Sequence, residues 1–162
     1  MSRIQTFLDA LEAYLPSSGT LLPELTSAQV LMLESDDPKM GSKVDQHIKL
    51  HCMKVAGLAV IILHGGGTNI DPDTTGQKLH SKINLVAYLY VHSRRWGKKW
   101  DGTKRDATAI LEDLLNHLHG AEIAPLQSGC ITRLVVDDWE PEPEEDGFIA
   151  WSIPFHRILT LG

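Results

Sequence analysis

Two hydrophobic periods alternate along this chain. Near the start, Ile4, Phe7, Leu8, Leu11, Tyr14 and Leu15 fall on one face at helical spacing. The spacing predicts a helix over residues 2–15, with Ser2 as N-cap and Pro16 as its stop. Ser17 to Ser27 reads as loop, Ala28 to Leu33 as a short apolar run of open type, and Ser35 to Ser42 as a turn or exposed loop. Over His47 to Leu63 the period drops to two: Ile48, Leu50 and Cys52 alternate, and Leu58 to Leu63 is a β-branched run, so strand is expected. Gly65 to Gln77 reads as a long polar loop. Lys78 to His92 carries the strongest strand signal. Leu79, Ile83, Leu85, Ala87, Leu89 and Val91 point one way, and His80, Lys82, Asn84, Tyr88, Tyr90 and His92 the other. A strand of this length overhangs its sheet or faces a partner.

The helical period returns over Lys104 to His119 with Ala107, Ile110, Leu111, Leu114, Leu115 and Leu118; Thr103 is the expected N-cap and Gly120 the C′ residue. Ile131 to Trp139 and Phe148 to Leu161 read as strands joined by the acidic connection Glu140 to Gly147. Pro154 places an edge or a bulge in the last strand. The element order predicts an α+β fold: an antiparallel β-sheet with helices packed on one face, in a single domain over 1–162.

Composition narrows the class. Hydrophobic residues make up 43% of 162 and charged residues 22%, which excludes wholesale disorder. The longest apolar run, Val55 to Leu63, is broken by Gly57, so a helical membrane span is not expected. The first residues carry Asp9 and Glu12 and lack a leader's apolar stretch; Cys52 and Cys130 are therefore expected as reduced thiols in a cytoplasmic setting. A net charge of −6 argues against a DNA binder with an overall basic surface.

Several constellations bear on chemistry. His64-Gly65-Gly66-Gly67 resembles an oxyanion-hole loop, but the chain has no Gly-x-Ser-x-Gly elbow to supply a nucleophile. His47 and His51 would share a face on a helix and, with Cys52 and His64 near, suggest zinc; on a strand they would stand about 13 Å apart, too far for one ion. His117 and His119 lie at a helix C-terminus, where imidazoles complement the dipole. Cys130 opens a strand, and a small buried thiol is the plain expectation there. No cofactor is expected.

Charge is strongly segregated. Arg94, Arg95, Lys98, Lys99, Lys104 and Arg105 stand within twelve residues, opposed only by Asp101 and interleaved with Trp96 and Trp100. Such a segment fits phosphates and bases, or a protein interface rich in Arg and Trp. Asp137, Asp138, Glu140, Glu142, Glu144, Glu145 and Asp146 put seven negative charges in ten residues. Either segment can be a plain solvated loop; the sharper expectation is that the basic segment of one subunit meets an acidic surface of the next.

With these elements placed, the chain resembles the tail-terminator proteins of tailed phages, closest to the Mu-like prophage branch. The resemblance rests on the helix Ile4 to Leu15, the strand Leu58 to Leu63 and the long strand Ile83 to Val91. The helix Ala107 to Leu115 and the closing strand Gly147 to Phe155 complete it. It implies a hexameric ring, with no catalysis, that caps the tail tube and presents a surface to the head-side connector. The implied partners are copies of itself, the tail-tube protein, with the sheath a further candidate, and the connector. DNA would pass through the channel without specific binding, and the protein would sit in the virion tail or neck after assembly in the host cytoplasm. Two other classes stand beside this one. One is a small hydrolytic or metal-dependent enzyme around His47, His51, His64 and Cys52; the other is a nucleic-acid-binding adaptor using Arg94 to Arg105.

Overall fold

The computed structural model describes residues 2–17, 25–55, 57–70, 79–92, 107–127, 133–143 and 147–161. The basic segment Arg94 to Arg105, Glu144, Glu145 and Cys130 lie outside them. The first helix, α1, spans Arg3–Tyr14, and the Ser2 hydroxyl caps it by accepting from the Gln5 amide at 3.0 Å. A 3-10 turn, Leu15–Ser17, ends it at Pro16. Strand β1 is Val30–Glu34, β2 is Leu58–Ile70 and β3 is Leu79–His92. Helix α3 covers Ala107–Leu118 and stops at Gly120, whose φ of +81° is the left-handed conformation that closes helices. Two short strands, β4 (Val135–Val136) and β5 (Glu140–Pro141), precede β6, Phe148–Leu161.

The sheet runs β1-β2-β3-β6-β4, with β5 also on β6. Only β1 and β2 are parallel; the other pairs are antiparallel. The expected α+β architecture in a mostly antiparallel sheet is therefore what forms. β3 and β6 pair along all 14 residues, from Leu79 opposite Leu161 to His92 opposite Phe148. That is about 45 Å of continuous ladder. β2 pairs the other edge of β3 from His80 to Val91, so β3 is a central strand covered on both sides and does not overhang its sheet, contrary to the expectation from its length. β1 ends at Glu34 opposite His64, so among the described residues no strand covers the outer edge of Gly66 to Ile70.

One face of the sheet carries the core. Val60, Ile62, Leu85, Ala87, Leu89, Ile153, Phe155 and Leu159 meet Phe7 and Leu11 of α1 and Ile110, Leu114 and Leu118 of α3. Each large side chain fully buried there stabilises the fold by about 1.5–3 kcal/mol. The expected assignment of faces in β3 holds from Ile83 on: Ile83, Leu85, Ala87, Leu89 and Val91 are buried, while Asn84 is exposed and Tyr88, Tyr90 and His92 are half-buried; Leu79 at the strand start is exposed.

Four further expectations need correction. Residues 35–42 are not all loop, because helix α2 begins at Met40 and runs to His47. Ile48 to Val55 is not strand: it continues as a π-helix. An i→i+5 turn sets His47 and Cys52 on one side, which is where both are buried, and leaves Leu50 exposed. Gly65 to Gly67 is not loop but part of β2, with a register irregularity between His64 and Gly66. Finally, among the described residues of the strand expected over 131–139, Val135–Val136 pairs with β6 and Arg133 makes an isolated bridge to Glu122, while Glu140–Pro141, expected as connection, pairs with Ser152 and Trp151.

Pro154 shows why. Its carbonyl accepts the Asp137 amide at 2.8 Å, so its hydrogen-free nitrogen faces the same outer edge. There the register slips by one residue, from Val136 opposite Phe155 to Glu140 opposite Ser152. The bulge expected at Pro154 thus falls on the facing strand, at Asp137 to Trp139.

Candidate interaction surface

The bulge presents the described part of the acidic segment. Asp137, Asp138 and Glu140 are exposed and Glu142 is half-buried. Asp137 turns back to His156, whose Nδ1 lies 2.9 Å from the carboxylate. Trp139 between them is 45% exposed, a large apolar surface among carboxylates. Behind Glu142 a cavity of about 310 Å³ opens on the sheet face opposite the main core, lined by Tyr88, Tyr90 and Phe148 and bordered by Val44 and Ile48. Burial, and then the charge of Glu142, pushes the Tyr88 hydroxyl above its ordinary range. Tyr90 meets Phe148 edge-on at 5.5 Å. Of the expected interface residues, Arg94, Arg95, Trp96, Lys98, Lys99, Trp100, Glu144 and Glu145 lie outside the described residues.

A second concave surface lies on the other side of the molecule, between α1 and the β1–β2 edge. Its apolar part, about 310 Å³, is framed by Ile4, Leu8, His64 and Ile83 and floored by the backbone of Gly65 to Gly67. A polar part of about 320 Å³ shares Leu8 and His64 with it and is rimmed by Asp9, Glu12, Glu34 and Asp37. Its one ammonium, Lys43, is held by Asp37 at 2.6 Å. This contact and an amide bond from Lys39 hold the Asp37 carboxyl below its usual range. The glycines differ in their surroundings. A methyl on Gly65 would stand 2.2 Å from the Ser35 hydroxyl, whereas Gly66 has open space.

The candidate enzyme residues are not all brought together: His47, His51 and Cys52 lie on α2 and the π-helix, and His64 lines the cleft from β2. His47 is buried, its Nε2–H donates to the Gln29 carbonyl at 2.7 Å, and its ring tilts over His51 at 4.7 Å. The helical geometry therefore makes these two histidines close, against the strand-based separation. Burial depresses the His47 pKa, which keeps the ring neutral. Cys52 is fully buried, and His64 sits on β2 opposite Leu85. Among the described residues no group of three or more His, Cys, Asp or Glu stands in a metal-holding arrangement. His117 stacks on Tyr14 at 4.1 Å, donates from Nε2 to the Tyr14 carbonyl at 3.2 Å, and accepts the Tyr14 hydroxyl on its own carbonyl at 2.7 Å. It clamps α3 to α1 rather than tuning a helix dipole. His119 Nδ1 accepts the Val136 amide at 3.1 Å.

The residue that sequence reasoning passed over is Arg157. It is 0% exposed, between Phe155 and Leu159 on the core face. Its guanidinium donates to the carbonyls of Ile123 and Pro125 and lies 5.2 Å from the Phe7 ring centre. Strict alternation through Ile153, Phe155 and Leu159 was the available signal, since it places residue 157 inward.

No family model matches the chain, and no curated protein does. Among solved structures, a chain of the "Virion of native gene transfer agent (GTA) particle" is similar in fold, with a TM-score of 0.59 at 13% identity. The likeness spans 99% of this chain and 98% of that one. Among the described residues no helix is long and apolar enough to cross a membrane.

Proposed function

We propose that this chain is a structural virion protein that works by self-association and docking and makes or breaks no bonds. In the finer reading it is a tail terminator: a ring, hexameric by its resemblance, that caps the tail tube and meets the head-side connector. The observation that carries the reading is the end-to-end likeness to a chain of a gene transfer agent virion particle, because it covers both chains almost completely. A ring needs a heterologous interface, two different patches per subunit. The basic segment Arg94 to Arg105 and acidic surfaces such as Asp137 to Glu142 supply opposite patches. An acidic lumen would let DNA slide, since phosphates are held by basic surfaces.

Electron microscopy of the purified protein, alone and mixed with tail tubes, tests this. Annular particles, free or seated at tube ends, are the expected result. Tubes that grow without limit in its presence and carry no added density overturn it. Turnover of a small molecule lost on replacing His47, His51, His64 or Cys52 would move the reading to the enzyme class.

A further inference from the structure

We propose that the cleft between α1 and the β1–β2 edge is the receiving surface for a second copy of this chain, entered by that copy's Arg94 to Arg105 segment. The inference rests on the ring reading above and names the acidic surface it uses. Three observations carry it. The cleft joins an apolar part, with Ile4 and Leu8 over bare glycine backbone, to a rim of four carboxylates with a single, already paired ammonium. An occupant must then offer large apolar side chains and several cations close together. The chain's own segment does so, with six cations within twelve residues around Trp96 and Trp100.

The third observation is position. The segment is attached after His92, opposite Phe148, whereas the cleft lies along the half of β3 around Ile83. Nine residues of strand separate His92 from Ile83 in sequence, about 30 Å at strand rise. The segment's attachment point and the cleft thus lie apart along β3, and a closed ring needs two different patches per subunit. The bulge at Asp137 to Trp139 is the weaker mate. Asp137 is held by His156, and the aromatic cavity beside the bulge is bordered by two carboxylates, Asp45 and Glu142, against four on the cleft's rim.

The test is a charge swap read by sedimentation of the full chain at low ionic strength, with and without tail tubes. Glu12→Lys with Asp9→Lys, and separately Lys98→Glu with Lys99→Glu, should each weaken association by about tenfold or more. Combining the two sets should recover most of the loss. Ile4→Gln should weaken association by burying an amide in the apolar part, while its melting temperature stays near wild type because Ile4 is 36% exposed. Recovery of Lys98→Glu/Lys99→Glu by Glu140→Lys instead of Glu12→Lys overturns the cleft and leaves the ring. Loss of subunit stability without loss of association means the cleft is filled within one chain, and overturns it too. A wild-type chain that stays monomeric with and without tubes overturns both readings.

Discussion

Arg157 is the most consequential single side chain away from any surface. A guanidinium wholly inside a sheet–helix core is tolerated only because its fork meets two carbonyls and its face meets Phe7. Arg157→Ala would leave both carbonyls of the 123–125 turn without that donor and open a cavity. A loss of about 3–5 kcal/mol in urea unfolding is expected. Arg157→Lys should recover only part, because an ammonium has no fork. The buried histidines make a different kind of prediction. His47 and His117 both have pKa values pushed below 6.5 by burial. The unfolded chain then binds more protons than the native one just below that value, so stability rises with pH through this window. The contribution is complete above 6.5 and is lost as pH falls toward the depressed folded values. The urea midpoint should drop between neutral and mildly acid pH, and the slope should flatten in the His47→Gln/His117→Gln variant. A slope unchanged in that variant would assign the acid sensitivity to carboxylates instead.

The glycine stretch of β2 shows how an element can be misread and then tested. Gly65, Gly66 and Gly67 look alike in the sequence but meet different surroundings. Gly66→Ala has open space and should leave the thermal midpoint near wild type. Gly67→Ala would place its methyl 3.0 Å from the Lys82 carbonyl and should cost about 1 kcal/mol or more. Gly65→Ala meets the movable Ser35 hydroxyl, so its cost should fall when combined with Ser35→Ala. Thermal melts of the three single variants and the double check the order. Strong periodicity made α1, β3, α3 and β6 legible, with their caps at Ser2 and Gly120. Ile48 to Val55 was not, because apolar residues spaced two apart read as strand and no sequence signal marks an i→i+5 turn. Nor was glycine-bearing strand legible, since turn chemistry dominates Gly-Gly-Gly locally and only pairing with Ser81 to Asn84 overrides it.

At the scale of the whole molecule, the charge pattern bears on the proposed assembly. The two charged segments were readable from composition alone, but the cleft was not. Its walls come from residues 4–12, 33–43, 64–67 and 81–83, which meet only through the β1–β2–β3 register and the packing of α1. If cations of one copy sit against Asp9, Glu12 and Glu34 of the next, their attraction acts over a screening distance of about 10 Å at 0.1 M salt and about 3 Å at 1 M. Association should therefore weaken steadily as salt rises, mainly through a slower on-rate. A nucleic-acid adaptor would also be salt-sensitive, so salt dependence alone cannot separate the two. DNA must be the competitor: in the proposed assembly the basic segment would be covered, on a chain of net charge −6. It should show no DNA binding at low ionic strength, by fluorescence anisotropy with a labelled duplex, under the conditions where self-association is strongest. Tight DNA binding by the assembled form, falling steeply with salt, would mean that the cations face phosphate rather than a neighbouring subunit.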